Sequence, residues 1–199
     1  MSEDFWDAHY RTNQRVWSGR PNAVLVDVVE PLPPGSALDL GCAEGADAIW
    51  LATRGWRVTA ADVSATALKR AEAHAADLSV AVDFQRHDLG RTFPEGMFDL
   101  MSAQYLQSPV EFPRVQVLRR AAAAVAPGGL LLVVEHGSVA PWSWNQDAVF
   151  PTPEESLAGL ELDLARWDVE RVAAVERVAT GPDGQTATVT DTVIALRRA

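Results

Sequence analysis

The sequence predicts an α/β fold in which a mostly parallel, doubly wound sheet carries helices on both faces. From Ser36 onward, short apolar runs rich in Val, Leu and Ala alternate with longer helical patterns, and Gly/Pro pairs separate them. The end of the chain breaks this alternation with two strand-like runs around a glycine-containing turn. At 199 residues the chain has the length of one domain and can bury a sizeable core.

Composition and charge exclude several classes of protein. Hydrophobic residues make up 48% and charged residues 22% of the chain, which is a globular balance and not a disordered one. A net charge of −10 repels phosphate backbones, so we expect no nucleic-acid partner. The single cysteine, Cys42, excludes an internal disulfide and a multi-cysteine zinc site. An acidic N-terminal sequence and the lack of a long apolar run predict a cytoplasmic protein without a membrane partner.

The predicted elements begin with N-terminal helices. Phe5–Tyr10 is expected to form a short helix, and Pro21 marks the start of a second one whose apolar body is Ala23–Val29. The strands of the parallel core are then predicted at residues 37–40, 56–62, 80–84, 98–103 and 130–134.

Helices connect these strands. Residues 46–53 are apolar on most sides and precede Gly55, as in a buried helix, and Ser64 caps a helix that runs to Ala76. A further helix is predicted to end at Pro127-Gly128-Gly129. Its apolar face is expected to contain Val115, Leu118, Ala122 and Val125.

The closing segment consists of Trp167–Thr180 and Thr186–Leu196 on either side of Gly181-Pro182-Asp183-Gly184. Such a pattern predicts two antiparallel strands joined by a turn. With these two strands the predicted sheet has seven.

The most informative segment is Asp39-Leu40-Gly41-Cys42-Ala43-Glu44-Gly45, which lies between the first strand and the first helix of the core. Glycines there permit a tight turn and a close approach of a ligand, and the helix that follows presents the positive end of its dipole. Asp62 ends the second strand, where a carboxylate can accept hydrogen bonds from both hydroxyls of a ribose. Together these features predict a nucleoside-containing cofactor at the carboxyl ends of the strands.

The identity of that cofactor depends on the glycine spacing. A dinucleotide fingerprint needs Gly-x-Gly-x-x-Gly, whereas here Ala43 occupies the middle position and Ala46 follows Gly45. The segment also lacks the Lys-Ser/Thr pair of a phosphate-binding loop. A nucleotide-dependent oxidoreductase is therefore the weaker alternative.

These residues resemble the class I S-adenosylmethionine-dependent methyltransferases. Asp39, Gly41 and Gly45 match the Asp/Glu-x-Gly-x-Gly-x-Gly motif of that family, and Ala43 replaces its middle glycine. The resemblance includes Asp62, an aspartate after the third strand (Asp88), residues 98–107 and 118–129, and the closing hairpin. It implies a Rossmann-like seven-stranded fold, S-adenosyl-L-methionine as cofactor with S-adenosyl-L-homocysteine as product, and no metal. The aromatic N-terminal sequence is similar to the tellurite-resistance and thiopurine S-methyltransferase-like branch.

The same resemblance implies the cofactor contacts. Asp39 and the backbone at Gly41, Cys42, Ala43 and Gly45 would lie against the methionyl part. Asp62 would hold the ribose and Asp88 the adenine amine, with Val63 and Leu89 on either side of the ring and Gln104 near the sulfonium. Trp17 would face the cation by a cation–π contact, and Trp6 and Tyr10 would either do the same or pin the N-terminal helices to the core. In a single domain of residues 1–199, residues 1–34 would cover the cofactor, 35–136 would bind it, and 137–199 would form the acceptor side.

Methyl transfer demands alignment and exclusion of water, and a general base is needed only for a protonated acceptor. The candidates after the fourth and fifth strands are Tyr105, Gln107, Glu135 and His136, of which His136 titrates nearest neutrality. Arg114 is interpreted as a solvated helix charge, and Trp142, Trp144 and Asn145 either wall an acceptor pocket or pack under the hairpin. We expect a small-molecule acceptor and a monomer or homodimer. A domain that binds the cofactor without transferring a methyl group is the other alternative.

Overall fold

The computed structural model describes residues 2–12, 19–143 and 145–199. The helices in the described part are α1 (Ser2–Thr12), α2 (Ala23–Val29), α3 (Ala46–Thr53), α4 (Ala65–Asp77), α5 (Arg114–Ala123), α6 (Pro153–Gly159) and a 3₁₀ turn at Leu164–Arg166. The strands are β1 (Ser36–Leu40), β2 (Arg57–Asp62), β3 (Asp83–Arg86), β4 (Phe98–Gln104), β5 (Val125–His136), β6 (Trp167–Thr180) and β7 (Thr186–Arg198).

All seven strands form one sheet in the order β3-β2-β1-β4-β5-β7-β6. The first five strands run parallel, and β7 is antiparallel to both β5 and β6. This arrangement confirms the predicted doubly wound, mostly parallel sheet with a closing hairpin. The chain leaves β1 towards β2 on one side and returns to β4 on the other, so a crevice opens at the carboxyl ends of β1 and β4.

Apolar side chains cover both faces of the sheet. On one face α2, α3 and α4 bury residues such as Leu25, Leu51 and Leu68 against the strands. On the other face α5 buries Leu118 and Ala121 against β4 and β5. Because helices cover both faces, the central strands are apolar throughout, as a parallel sheet requires.

The third strand begins later than predicted, at Asp83 and not at Val80. Ser79 has a left-handed φ of 54° and follows the end of α4. The N–H of Ser79 donates to the Ala76 carbonyl at 3.0 Å, and that of Val80 donates to the Ala75 carbonyl at 3.1 Å. These two bonds form a Schellman motif, so Val80 closes the helix and does not begin the strand.

The helix predicted to end at Pro127-Gly128-Gly129 instead ends at Ala123. Val125 is buried as the first residue of β5, and the pairing of β4 with β5 shifts register between Phe98 and Leu100. The predicted face was also wrong at Val115, which is exposed. The buried side of α5 consists of Val117, Leu118, Ala121 and Ala122.

Candidate active site

The loop after β1 is a tight turn that depends on left-handed backbone conformations. Gly41, Ala43 and Gly45 have φ values of 72°, 51° and 85°. A Cβ atom on Gly45 would lie 2.8 Å from the Cβ of Ala71, so no side chain fits there. Within the turn, the N–H of Gly45 donates to the Cys42 carbonyl at 2.8 Å, and the N–H of Gly41 donates to the Ala61 carbonyl at 2.8 Å. These two N–H groups are therefore bonded within the protein and hold the turn in shape. At Gly41 and Gly45, which have no side chain, a ligand can approach the backbone closely.

Ala43 adopts the left-handed conformation that the family motif assigns to glycine. Its methyl group makes a φ of 51° unfavourable by about 1–2 kcal/mol. The Ala43 N–H donates to Asp62 Oδ2 at 3.0 Å, which joins the loop to the end of β2. The loop therefore keeps the shape expected for a glycine at a local cost in stability.

Asp62 lies at the carboxyl end of β2 and is 8% exposed. Besides the bond from Ala43, its Oδ1 accepts a hydrogen bond from the Ser64 N–H at 2.8 Å. Burial raises the pKa of this carboxyl, although the backbone donors act in the opposite direction. Each oxygen keeps a further lone pair with which it can accept a hydroxyl proton.

Asp39, next to the end of β1, is 2% exposed, and its Oδ2 has no hydrogen-bond partner among the described residues. Burial raises the pKa of Asp39 well above its ordinary value, and repulsion from Asp47 and Asp62 adds to the effect. At the end of β4, Gln104 donates from Nε2 to Ser102 Oγ at 3.1 Å, while its buried Oε1 is likewise unpaired among the described residues. Two unsatisfied oxygens thus lie at the carboxyl edge of adjacent strands β1 and β4.

The segment after β3 lies beside the end of β2, because the His87 N–H donates to the Asp62 carbonyl at 3.0 Å. Asp88 in this segment is half-buried and accepts a hydrogen bond from the Gly90 N–H at 3.2 Å. Leu89 is 5% exposed and Val63 is half-buried. The structure therefore brings Asp88, Leu89, Asp62 and Val63 to the same edge of the sheet as the loop.

Cys42 belongs to the same loop and is 7% exposed. Burial, with repulsion from Asp62 and Asp39, raises the pKa of its thiol well above the ordinary value. The thiol therefore stays protonated. Its burial agrees with the prediction that Cys42 acts as a small apolar side chain.

The N-terminal helix α1 contacts the beginning of α4. Asp7 Oδ1 accepts hydrogen bonds from Ser64 Oγ at 2.6 Å and from the Thr66 N–H at 3.1 Å. Tyr10 is 3% exposed, and its carbonyl accepts a hydrogen bond from Arg70 at 2.6 Å. These contacts favour the interpretation in which the aromatic residues of α1 pin it to the core. Trp17 lies outside the described residues.

On the opposite side of the crevice, Tyr105 follows β4 with a left-handed φ of 52°. Its hydroxyl donates to Asp191 Oδ2 at 2.6 Å, and Arg177 Nε donates to the same oxygen at 2.6 Å. The ring of Tyr105 stacks on that of His136, with centroids 4.5 Å apart and planes at 27°. Burial and the bond to Asp191 raise the pKa of Tyr105 far above the ordinary value, so its hydroxyl is a donor and not a base.

His136, the last residue of β5, is exposed, and neither ring nitrogen has a hydrogen-bond partner in the described part of the chain. Partial desolvation by its neighbours lowers the pKa of His136; Asp191 raises it and Arg177 lowers it. The neutral imidazole therefore predominates at neutral pH. Phe150 approaches the other side of the ring at 6.4 Å between centroids.

The remaining acceptor-side candidates are structural. Glu135 is 2% exposed, pairs with Arg114 and accepts a hydrogen bond from Ser156 Oγ at 3.0 Å. The interpretation of Arg114 as a solvated helix charge was wrong, because β5 presents a buried carboxylate beneath α5. Gln107 Oε1 accepts a hydrogen bond from the His136 N–H at 3.1 Å.

The structure describes two of the three candidates in the segment after β5, Trp142 and Asn145. A Cβ atom on Gly181 would lie 2.7 Å from Trp142 Cδ2, so this tryptophan packs against the hairpin turn. Asn145 is exposed, and Trp144 is outside the described residues. Within residues 2–12, 19–143 and 145–199 no group of His, Cys, Asp or Glu side chains has the arrangement of a metal site, and no helix is long and apolar enough to span a membrane.

Comparison with known proteins finds methyltransferases. A methyltransferase domain family matches residues 37–129, which contain the loop, Asp62, Asp88 and Gln104. A ubiquinone biosynthesis O-methyltransferase from a Methylobacterium species is 36% identical over 102 residues, 51% of this chain and 41% of that protein. A 2-heptyl-1-hydroxyquinolin-4(1H)-one methyltransferase of Mycobacteroides abscessus is 29% identical over 173 residues, 83% of this chain and 74% of that protein.

Solved structures with the same fold give a similar result. A protein solved in a study of the conversion of a disulfide bond into a thioacetal group during echinomycin biosynthesis superposes with a TM-score of 0.78 and 26% identity, over 100% of this chain and 93% of that one. Together these likenesses support a class I S-adenosylmethionine-dependent methyltransferase. TehB from Haemophilus influenzae shares the fold, with a TM-score of 0.73 and 17% identity over 100% of this chain and 67% of that one.

These comparisons confirm the resemblance that the loop motif indicates, and the narrower likeness to the tellurite-resistance and thiopurine branch stays a prediction. The chain spans 41% and 40% of the length of the two Methylobacterium ubiquinone biosynthesis O-methyltransferases that it matches. Asp191 and Arg177 were missed by sequence reasoning. The one local signal was Asp191 itself, a charged residue just before the apolar end of a predicted strand.

Proposed function

We propose that this protein moves a methyl group from S-adenosyl-L-methionine to a small-molecule acceptor and releases S-adenosyl-L-homocysteine. The observation that supports this most directly is a pair of buried oxygens, Asp39 Oδ2 and Gln104 Oε1, at the edge of β1 and β4, neither of which has a hydrogen-bond partner among the described residues. Buried acceptors without donors are unfavourable in a folded chain and mark a place where a ligand supplies the donors. Three buried carboxylates with raised pKa, those of Asp39, Asp47 and Asp62, favour a ligand of positive charge there.

The residues present fit that cofactor. Asp39 and Gln104 would accept hydrogen bonds from its ammonium end, and the loop between Gly41 and Gly45 would let its methionyl part approach the backbone. Asp62 would hold the ribose hydroxyls with the lone pairs left after its backbone bonds. Asp88, half-buried beside the end of β2, would hold the adenine amine, with Val63 and Leu89 on either side of the ring. When bound, S-adenosyl-L-methionine supplies a methyl group on a positively charged sulfur, which is a good leaving group.

His136 is the residue that we propose as the general base on the acceptor side. It is exposed, its ring nitrogens have no partners among the described residues, and desolvation keeps it neutral at neutral pH. A neutral imidazole can take a proton from the acceptor as the new bond forms. Tyr105, the other predicted catalytic residue, uses its hydroxyl on Asp191, so we propose a supporting role for it.

The proposal is tested by calorimetry and turnover on the full chain. S-adenosyl-L-homocysteine is expected to bind with micromolar or tighter affinity, and NADH is not. Turnover with radiolabelled S-adenosyl-L-methionine should start with 2-heptyl-1-hydroxyquinolin-4(1H)-one, the substrate named for the Mycobacteroides relative, and continue with phenols, thiols and amines. Binding of NADH with no binding of S-adenosyl-L-homocysteine would overturn the proposal. Binding without turnover of any acceptor would instead favour a domain that binds the cofactor and transfers nothing.

A further inference from the structure

The closing hairpin contributes an ion pair with a buried carboxylate to the acceptor side, and no sequence motif predicts it. Asp191 on β7 is completely buried, and its Oδ2 accepts hydrogen bonds from Tyr105 and from Arg177 on β6. Its Oδ1 has no partner in the described part of the chain. A buried carboxylate oxygen without a donor is costly, so the position of Asp191 calls for an explanation beyond packing.

Asp191 lies directly opposite His136 in the pairing of β7 with β5, so both side chains are on the same face of the sheet. Arg177 is two residues from Val175, which is opposite Asp191 in the pairing of β6 with β7, and its guanidinium lies 5.5 Å from the centroid of the Tyr105 ring. Three strands therefore bring these groups together around one imidazole.

Tyr105 connects the ion pair to that imidazole. Its left-handed φ is a rare conformation for a bulky side chain, and such strain persists only where surrounding bonds enforce it. Here the backbone N–H of Tyr105 donates to the Val134 carbonyl at 2.7 Å and its hydroxyl donates to Asp191. Held at both ends, the ring covers one face of His136, an exposed residue whose ring nitrogens have no hydrogen-bond partner among the described residues.

We propose that Asp191, acting through Tyr105 and paired with Arg177, is a positioning residue that orients His136 as the base for an acceptor hydroxyl. This inference rests on the proposed function. A hydroxyl arrives protonated at neutral pH and needs a base, whereas thiolates and halides do not. The acceptor oxygen forms its bond to the methyl carbon as the carbon–sulfur bond breaks and its electron pair goes to sulfur. The hydroxyl proton passes to His136 and then to solvent.

The charge of Asp191 fits this role. When His136 takes the proton, the imidazolium forms next to the Asp191 carboxylate, whose Oδ1 has no donor in the part of the chain that the structure describes, and this favours the charged form. Arg177 opposes it, so the balance between the two sets the pH at which the ring is neutral. Glu135 does not take part in this balance, because side chains alternate along β5 and its carboxylate is bound by Arg114 and Ser156 on the other face.

The experiment compares wild type with Asp191→Asn, Tyr105→Phe and Glu170→Gln. The last is the matched control, since it converts a carboxylate paired with Arg197 to an amide at the far end of the same hairpin. The acceptor probes are 1-naphthol, which is protonated at neutral pH, and naphthalene-1-thiol, which ionises readily. We expect Asp191→Asn and Tyr105→Phe to lower kcat for 1-naphthol at least about tenfold, with little change in the KM for S-adenosyl-L-methionine. Methylation of the thiol should change much less, and Glu170→Gln should behave as wild type.

Two further readouts separate positioning from a general loss of structure. The acidic limb of the kcat/KM profile for 1-naphthol should move to lower pH in Asp191→Asn, because removal of the carboxylate leaves Arg177 to lower the pKa of His136. The imidazole resonances of His136, assigned with His136→Gln, should titrate at correspondingly lower pH in the same variant. Asp191→Glu should restore part of the activity.

Three outcomes would overturn the inference while the proposed function stands. They are an unchanged His136 titration in Asp191→Asn, an equal loss for 1-naphthol and naphthalene-1-thiol, and turnover of the thiol alone by wild type. Failure of wild type to bind S-adenosyl-L-homocysteine is a different result, because it removes the proposed function itself.

Discussion

Asn22 donates two hydrogen bonds to the carboxylate of Asp47, from its backbone N–H at 2.7 Å and from its side-chain amide at 2.6 Å. Asp47 lies in the first turn of α3, directly after the loop that begins at Gly41. The contact therefore fixes the segment before α2 against the start of α3, next to the proposed cofactor site.

Removal of the Asn22 side chain is expected to destabilise the fold. Asp47 is 8% exposed, so Asn22→Ala leaves one oxygen of a buried carboxylate without its closest donor, at a cost of about 1–3 kcal/mol in the free energy of unfolding. Urea denaturation followed by circular dichroism measures this change in the free energy of unfolding. Asn145→Ala is the control, because Asn145 is exposed and should change stability by less than about 0.5 kcal/mol. Equal effects of the two substitutions would contradict the importance of the Asp47 contact.

Asp39→Asn is expected to stabilise the ligand-free protein and to abolish cofactor binding. A carboxyl with a raised pKa binds its proton more tightly in the folded chain, so the free energy of unfolding falls as pH rises from about 4 through the folded pKa. The amide avoids this loss, and each unit of raised pKa corresponds to about 1.4 kcal/mol.

Denaturation at several pH values checks this prediction. The advantage of Asp39→Asn should be greatest at neutral pH and should vanish below about pH 4, where the carboxyl is protonated in both states. Calorimetry should show the accompanying loss of affinity for S-adenosyl-L-homocysteine. An advantage that does not depend on pH would mean that the buried charge of Asp39 is not its cause.

Asp62→Ala is expected to weaken the binding of S-adenosyl-L-homocysteine by more than about tenfold, because the charge-assisted bonds to the ribose are lost. The same carboxylate holds the Ala43 N–H, so the loop also loses a support. Asp83→Ala is a suitable control, since this exposed aspartate at the start of β3 lies away from the loop. Calorimetry measures the affinity of both variants for S-adenosyl-L-homocysteine. Unchanged affinity in Asp62→Ala would count against the ribose assignment.

Ala43→Gly is expected to raise the free energy of unfolding by up to about 1 kcal/mol. Glycine adopts a φ of 51° without the steric cost that the Ala43 methyl group carries, although it also gains freedom in the unfolded chain. Ala73→Gly, at an exposed position inside α4, should instead lower stability by about 1 kcal/mol. Thermal denaturation of both variants distinguishes the two effects, and a loss of stability in Ala43→Gly would show that the loop is not strained there.

Local sequence was sufficient for the elements whose boundaries have local causes. The bounds of α3 agree with the prediction at Ala46 and Thr53, and Ser64 caps α4 through a hydrogen bond from the Ala67 N–H at 3.1 Å. Prediction failed where the same local pattern was compatible with both a helix and a strand. Val125 continues the helical spacing of α5, yet pairing with Phe98 on β4 makes it part of a strand.

The acceptor side was harder to predict because strand register creates it. Asp191 meets Tyr105, 86 residues earlier in the chain, through the pairing of β5 with β7, and nothing near either residue encodes that meeting. The cofactor side was easier, since the loop motif and the ends of consecutive parallel strands meet at one edge by topology alone.

The position of β7 between β5 and β6 has a consequence for synthesis of the protein. Ribosomes deliver β5 well before its antiparallel neighbour, so a long row of unsatisfied amides and carbonyls stays open on the growing polypeptide. Open edges of this kind recruit other chains. Nascent chains stalled between β5 and β7 should therefore aggregate more readily than released ones, and a chaperone would be of most use during that interval.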